Sequence, residues 1–172
     1  APIDIGDPGQ SRWLRACLWP GVPDRPERLT AAIDLVSAIP PSLQRGDAVA
    51  GLPALVASIA EPVVPVVIAT WALAYIPAAG RRRILDDLDS IGVQRDLVFV
   101  TLEEPRFTPW NPDVSDPDEA TGSGAGTATL LAVRRWRNGV CESRSLAFVH
   151  PHGRWMHWID APTETTNGDE DG

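Results

Sequence analysis

Apolar residues recur along this chain at helical spacing in some stretches and in unbroken β-branched runs in others, and the alternation lays out the elements. Residues 1–10 are rich in Pro, Gly and Asp and read as an extended opening loop. Ser11–Trp19 suits a short helix, stopped at Pro20-Gly21. Leu29, Ile33 and Val36 then form one helical face. Asp24 is placed to cap that helix, with Pro26 in its first turn and Glu27 three residues on, as in a capping box. Pro40-Pro41 ends it.

Arg45–Val49 reads as the end of a strand or the loop after one. Apolar positions 52, 55, 56 and 59 predict a two-turn helix with Pro53 near its start. Val63–Ala69 (VVPVVIA) is the pattern of a strand buried on both faces. Pro77-Ala78 opens a helix that turns Ile84, Leu85, Leu88 and Ile91 inward and stops at Gly92 in the left-handed conformation. Leu97–Leu102 is a second buried strand.

The pattern changes after Pro105. Residues 105–126 form a Pro- and Asp-rich loop, long enough to be functional or mobile. Thr127–Trp136 and Val140–Val149 then make a hairpin across Asn138-Gly139, and Arg154–Ile159 returns as a third antiparallel strand. Strands alternating with helices require a parallel sheet, so the fold class is α/β, with parallel strands followed by an antiparallel C-terminal hairpin. Residues 1–159 are expected to form one α/β domain, and 160–172 an acidic, disordered tail.

Composition narrows the function classes. The 172 residues carry 15 basic and 23 acidic side chains, a net charge of −8, which argues against a nucleic-acid partner held by phosphate contacts. All the basic residues are Arg, so Schiff-base chemistry and a P-loop lysine are excluded. No apolar run is long enough for a membrane span, and no export signal stands out; a cytoplasmic location with no membrane partner is expected. Cys17 and Cys141 are too few for a disulfide framework and are expected to be buried or idle thiols.

In open parallel sheets, ligands bind outside the carboxyl ends of the strands. That rule selects Asp47, the Ala69-Thr70-Trp71 corner and the Glu103-Glu104 pair. A carboxylate there can accept from a ribose, an amine or an adenine amino group, although Asp47 serves equally as an N-cap or turn residue. Adjacent Glu103 and Glu104 point to opposite sides of an extended segment, so only one can face a cleft. The Gly122–Gly126 run lacks the strand before and helix after it that a phosphate-cradling loop needs, and reads as linker. His150, His152 and His157 suggest a metal, but the Pro151-His152-Gly153 turn breaks the chelating geometry; no metal is expected, and His152 reads as a turn residue near a pocket. Trp13, Trp19, Trp71, Trp155 and Trp158 either line an apolar pocket or fill the core.

From Gly46-Asp47-Ala48, through Leu52-Pro53 and Val66-Val67-Ile68, to Ala74-Tyr75-Ile76-Pro77, the chain resembles the middle of a class I S-adenosylmethionine-dependent methyltransferase. More closely, it resembles the C-terminal half of a bacterial domain-of-unknown-function family with that type of fold. The pieces carrying this likeness are Pro2-Ile3-Asp4, Trp13-Leu14-Arg15 with Trp19-Pro20, Arg28-Leu29 with Ala32-Ile33, Leu73-Ala74-Tyr75, Leu146-Ala147, Pro151-His152-Gly153 and Trp158. Together they span residues 2–159.

The resemblance implies a partial Rossmann-like, methyltransferase-type sheet, in which the strand order is 3-2-1-4-5-7-6. It implies S-adenosylmethionine as cofactor, with Asp47 near the adenine and Ala48 packed beside it. Thr70, Trp71 and Tyr75 would border the transfer site, Glu103 or Glu104 would stand at the neighbouring strand end, and Trp71 and His152 would line a substrate pocket. Relatives also carry an upstream glycine-rich strand and loop and a second strand with a ribose-binding acid, neither found in this sequence, and many have a histidine where this chain has Ala69-Thr70. The chain alone is therefore expected to hold the cofactor poorly. The exposed edge of strand 63–69 is expected to be covered by a separate N-terminal half, by self-association or by Arg45–Val49 sliding in. The alternative function is a non-catalytic binding or scaffold module using the Trp-rich surface and the 105–126 loop.

Overall fold

The computed structural model describes residues 3–18, 23–111, 129–151 and 153–159, which gather into two compact units, Ala1–Asp47 and Ala48–Gly172. Trp19, the Gly122–Gly126 run, most of the 105–126 loop, His152 and the acidic tail lie outside the described residues.

The first unit contains α1 (Pro8–Ala16) and α2 (Arg25–Ala38). The capping box belongs to α1, not α2. Asp7 Oδ1 accepts from the Gly9 and Gln10 amides, and Gln10 Nε2 donates to Asp7 Oδ2. Asp24, the expected cap of α2, instead sits at φ 60° and makes no side-chain cap bond. The sequence signal at 24–27 is real in composition, but the residue at the cap is left-handed rather than in the extended conformation a side-chain cap uses.

Hydrogen bonds from Gln10 and from the Gly9 and Gln10 amides hold the Asp7 carboxyl below its ordinary range. A depressed carboxyl pKa contributes stability above the unfolded value of about 3.9, and that stability is lost as pH falls through the folded value. The α1 helical signal should therefore weaken below about pH 4. In an Asp7→Asn variant, which keeps an N-cap acceptor, that acid dependence should be absent by circular dichroism.

The second unit holds α3 (Ala48–Ala57), β1 (Val66–Thr70), a 3₁₀ turn at Leu73–Tyr75, α4 (Ala78–Gly92), β2 (Leu97–Glu103), a 3₁₀ turn at Pro105–Phe107, β3 (Thr129–Arg137), β4 (Val140–Val149) and β5 (Met156–Trp158). The five strands form one mixed sheet in chain order, with β1 parallel to β2 and the rest antiparallel. The α/β class, the parallel pair and the terminal hairpin are thus observed.

Three expectations give way. No strand ends at Arg45–Val49: residues 41–47 belong to no helix or strand and are exposed, with one large apolar side chain among them, and α3 begins at Ala48. The implied order 4-5-7-6 is replaced by 4-5-6-7, because β3, not β4, lies beside β2. β3 brings Leu130, Ala132 and Trp136 to the core, whereas β4 offers Cys141, Ser143 and Ser145 at the positions facing Trp136, Arg134 and Ala132. The more apolar strand of the hairpin takes the inner place. Finally, β1 is not buried on both faces. It ends the sheet, and Val66 and Ile68 are 56% and 66% exposed, while Val67 and Ala69 face the core.

The main core gathers Ala69, Leu73, Ile84, Leu88, Leu97, Phe99 and Trp136 between α4 and one face of the sheet, with Val49 and Leu52 of α3 packed against it. The helix-to-sheet contact turns on Gly92. It is not a left-handed stop, since α4 ends through Val93 in right-handed geometry. A Cβ at Gly92 would overlap the Trp136 ring, so glycine is what lets that ring lie on the helix. Asp89, one turn earlier, accepts from Trp136 Nε1 and from Arg134, both at 3.0 Å. At the hairpin tip, Asn138 (φ 51°) and Gly139 (φ 77°) are both left-handed, as a two-residue type I′ turn requires. Both cysteines are free and exposed, not buried. Among the described residues, no helix is long and apolar enough to cross a membrane.

Candidate functional site at the carboxyl ends of β1 and β2

The parallel strands β1 and β2 end together, and the chain turns sharply after each. Trp71 continues the ladder by donating its amide to Leu102 O at 3.1 Å, then turns at φ 51°. That conformation is strained for a residue with a Cβ, and strain of this kind concentrates at functional corners. The 3₁₀ turn Leu73–Tyr75 follows immediately.

Glu103, the last residue of β2, holds this corner. It lies on the helix-covered face of the strand and is 0% exposed. Its Oε1 accepts from the Ala72 amide at 2.7 Å and the Leu73 amide at 2.8 Å, the two donors at the start of the turn. Arg81 of α4 closes the other end by donating to the carbonyls of Leu73 and Ile76. A buried carboxylate at one end and a guanidinium at the other therefore fix the path between β1 and α4.

After β2 the chain curls through successive turns, with Phe107 N bonded to Glu104 O, Thr108 N to Pro105 O, and Asn111 N to Thr108 O. These turns pack Phe107 and Trp110 against the core cluster that contains Leu73, against which Ile76 also packs. Two guanidiniums stand over the Phe107 ring, Arg81 at 5.1 Å and Arg106 at 4.7 Å from its centroid.

Among the described residues, these segments hold several buried polar atoms with no hydrogen-bond partner: Glu103 Oε2, Trp71 Nε1, Trp110 Nε1 and both amide atoms of Asn111. Buried polar groups normally find partners, and several orphans in one region call for an explanation. As a set they offer three donor groups and two acceptors, suited to a polar small molecule or to ordered water. Glu104 Oε2 is different, because Arg106 Nε sits 2.6 Å away and pairs with it.

The residues selected from the sequence separate into three groups. Trp71 and Glu103 meet at the corner. Glu104 starts the turn that follows β2 and faces Arg106. Thr70 closes β1 and is exposed, and Tyr75 is 87% exposed. Asp47 precedes α3 in an exposed loop and Ala48 is the first residue of that helix. His150 and His157 each pack their rings on Trp155, at 5.7 and 5.0 Å. Among the described tryptophans, Trp136 is core, Trp71, Trp110 and Trp155 are half-buried, and Trp13 and Trp158 are exposed.

Sequence reasoning missed Arg81, Trp110 and Asn111. The spacing of Phe107 and Trp110, three apart within a supposed loop, was the available sign that the chain turns back onto the core there.

No curated protein and no solved structure matches this chain. The model of the family described as "Uncharacterized protein conserved in bacteria (DUF2332)" matches residues 1–158. With nearly its whole length matched, the chain belongs to this family of bacterial proteins.

Proposed function

We propose that the second unit is a small-molecule-handling α/β domain of the S-adenosylmethionine-dependent type. In this reading, the corner after β1 and β2 supplies the wall of the site on the side of the transferred group. The observation that supports it is the set of orphaned buried polar atoms at the carboxyl ends of the two parallel strands, the place where open α/β sheets take ligands. Glu103 Oε2 would accept from an amine, amide or hydroxyl of the ligand, while Oε1 keeps the corner in shape. The indoles of Trp71 and Trp110 would offer N–H donors and apolar faces.

Methyl transfer depends mainly on aligning the nucleophile with the sulfonium, so positioning groups of this kind suffice without a strong base. Asp47 and Ala48 are the proposed cofactor-side residues, carried over from the resemblance alone. Among the described residues, no glycine-rich loop stands between a strand and a helix.

Calorimetric titration with S-adenosylmethionine tests this reading. Weak heats that do not saturate below about 1 mM are expected from the chain by itself. Micromolar binding would contradict the view that the corner is only one wall of the site.

A further inference from the structure

The side chains that β2 buries on its helix-covered face are Leu97, Phe99, Thr101 and Glu103, all between 0% and 2% exposed. The face turns from apolar to polar toward the carboxyl end of the strand without losing burial, and it ends on a carboxylate. In the ladder Glu103 stands opposite Leu130, which is itself 1% exposed.

Burying a charge is costly unless a counter-charge is buried with it. Among the described residues, Glu103 has no such partner. Arg106 pairs with Glu104, and Arg81 donates to the Leu73 and Ile76 carbonyls. The remaining ion pairs join Arg83 to Asp87, Arg134 to Asp89 and Arg135 to Glu142. The Ala72 and Leu73 amides satisfy Oε1 alone, and Oε2 is buried without a partner. Two amides need only an acceptor, which a neutral glutamine oxygen would also supply. The negative charge and the second oxygen are therefore left for something else.

We infer that the corner takes a small molecule carrying a protonated amine, whose ammonium N–H donates to Glu103 Oε2. The inference rests on the reading of this corner as a ligand wall and narrows it to one ligand class. An amide or a hydroxyl can fill the same hydrogen bond, but neither brings the missing positive charge. An ammonium supplies both, in a charge-assisted bond roughly twice as strong as a neutral one. A carboxylate or phosphate presented to Oε2 would meet like charge. Trp71 precedes Ala72, whose amide Glu103 holds, and its indole is half-buried. Indole faces attract cations, so this neighbour in the chain favours the same class.

Amide NMR of the labelled chain, titrated at about pH 7 with benzylamine, benzyl alcohol and phenylacetate, tests the assignment. The three probes share a ring and differ in charge. Benzylamine should shift the Ala72 and Leu73 signals, benzyl alcohol should bind at least tenfold more weakly, and phenylacetate should leave them unmoved. Glu103→Gln keeps an acceptor for the two corner amides. It should lower the benzylamine affinity at least tenfold, to the level of benzyl alcohol. Equal affinity for amine and alcohol, preference for phenylacetate, or benzylamine binding unchanged in Glu103→Gln would overturn the amine assignment and leave the ligand wall standing. A corner that responds to none of the three probes would overturn both.

Discussion

Gly92→Ala is expected to destabilise the second unit by about 3 kcal/mol and to lower its melting temperature by about 10 °C. The cost is steric. The added methyl would occupy the volume already taken by the Trp136 ring, and Trp136 is 2% exposed, with nowhere to move. Shifting the ring also breaks its bond to Asp89 Oδ1 and disturbs the Arg134 guanidinium stacked 5.2 Å from its centroid. Gly51→Ala is the informative contrast, since nothing lies within 4 Å of the new methyl. There the same substitution in a helix interior should stabilise by about 0.5–1 kcal/mol, through reduced backbone entropy in the unfolded chain. Thermal unfolding of the two variants side by side checks both signs at once. A Gly92→Ala protein as stable as the unaltered chain would remove Trp136 as the clasp between α4 and the sheet.

Glu103→Ala should cost about 2–4 kcal/mol, because it strands two backbone donors in a buried corner and removes charge-assisted bonds to both. Glu103→Gln should cost much less, since its amide oxygen can still accept from Ala72 and Leu73. The distinguishing measurement is amide hydrogen exchange at Ala72 and Leu73, where protection should collapse in the Ala variant and largely survive in the Gln variant. Equal loss in both variants would mean that the charge, not the acceptor geometry, holds the corner.

Most of the second unit was legible in the sequence because its signals are local. β-branched runs gave β1 and β2 within a few residues, helical spacing gave α4, and Asn138-Gly139 gave the hairpin with its turn type. What was not legible depends on tertiary placement. Asp7 and Asp24 look alike as caps, and only backbone geometry separates them. An apolar run such as VVIAT is consistent with a central strand, yet here it ends the sheet, because nothing in the sequence pattern says which neighbours a strand finds. Gly92 reads as a helix stop and proves to be a seat for an aromatic ring 44 residues further on. At the candidate corner, the strand-end rule selects Trp71 and Glu103. Trp110 and Asn111 were hidden in a Pro-rich stretch whose turns form only by packing on the core.

The central claim is that the corner formed by residues 70–76 and 103–111 is one wall of a small-molecule site. It is tested most directly by amide NMR shifts of the labelled chain during titration with S-adenosylhomocysteine. The account predicts fast-exchange shifts centred on those two segments and on the Trp71 and Trp110 indole signals, still unsaturated near 1 mM. Shifts that fall elsewhere in the chain, or a corner that does not respond at all, would contradict it.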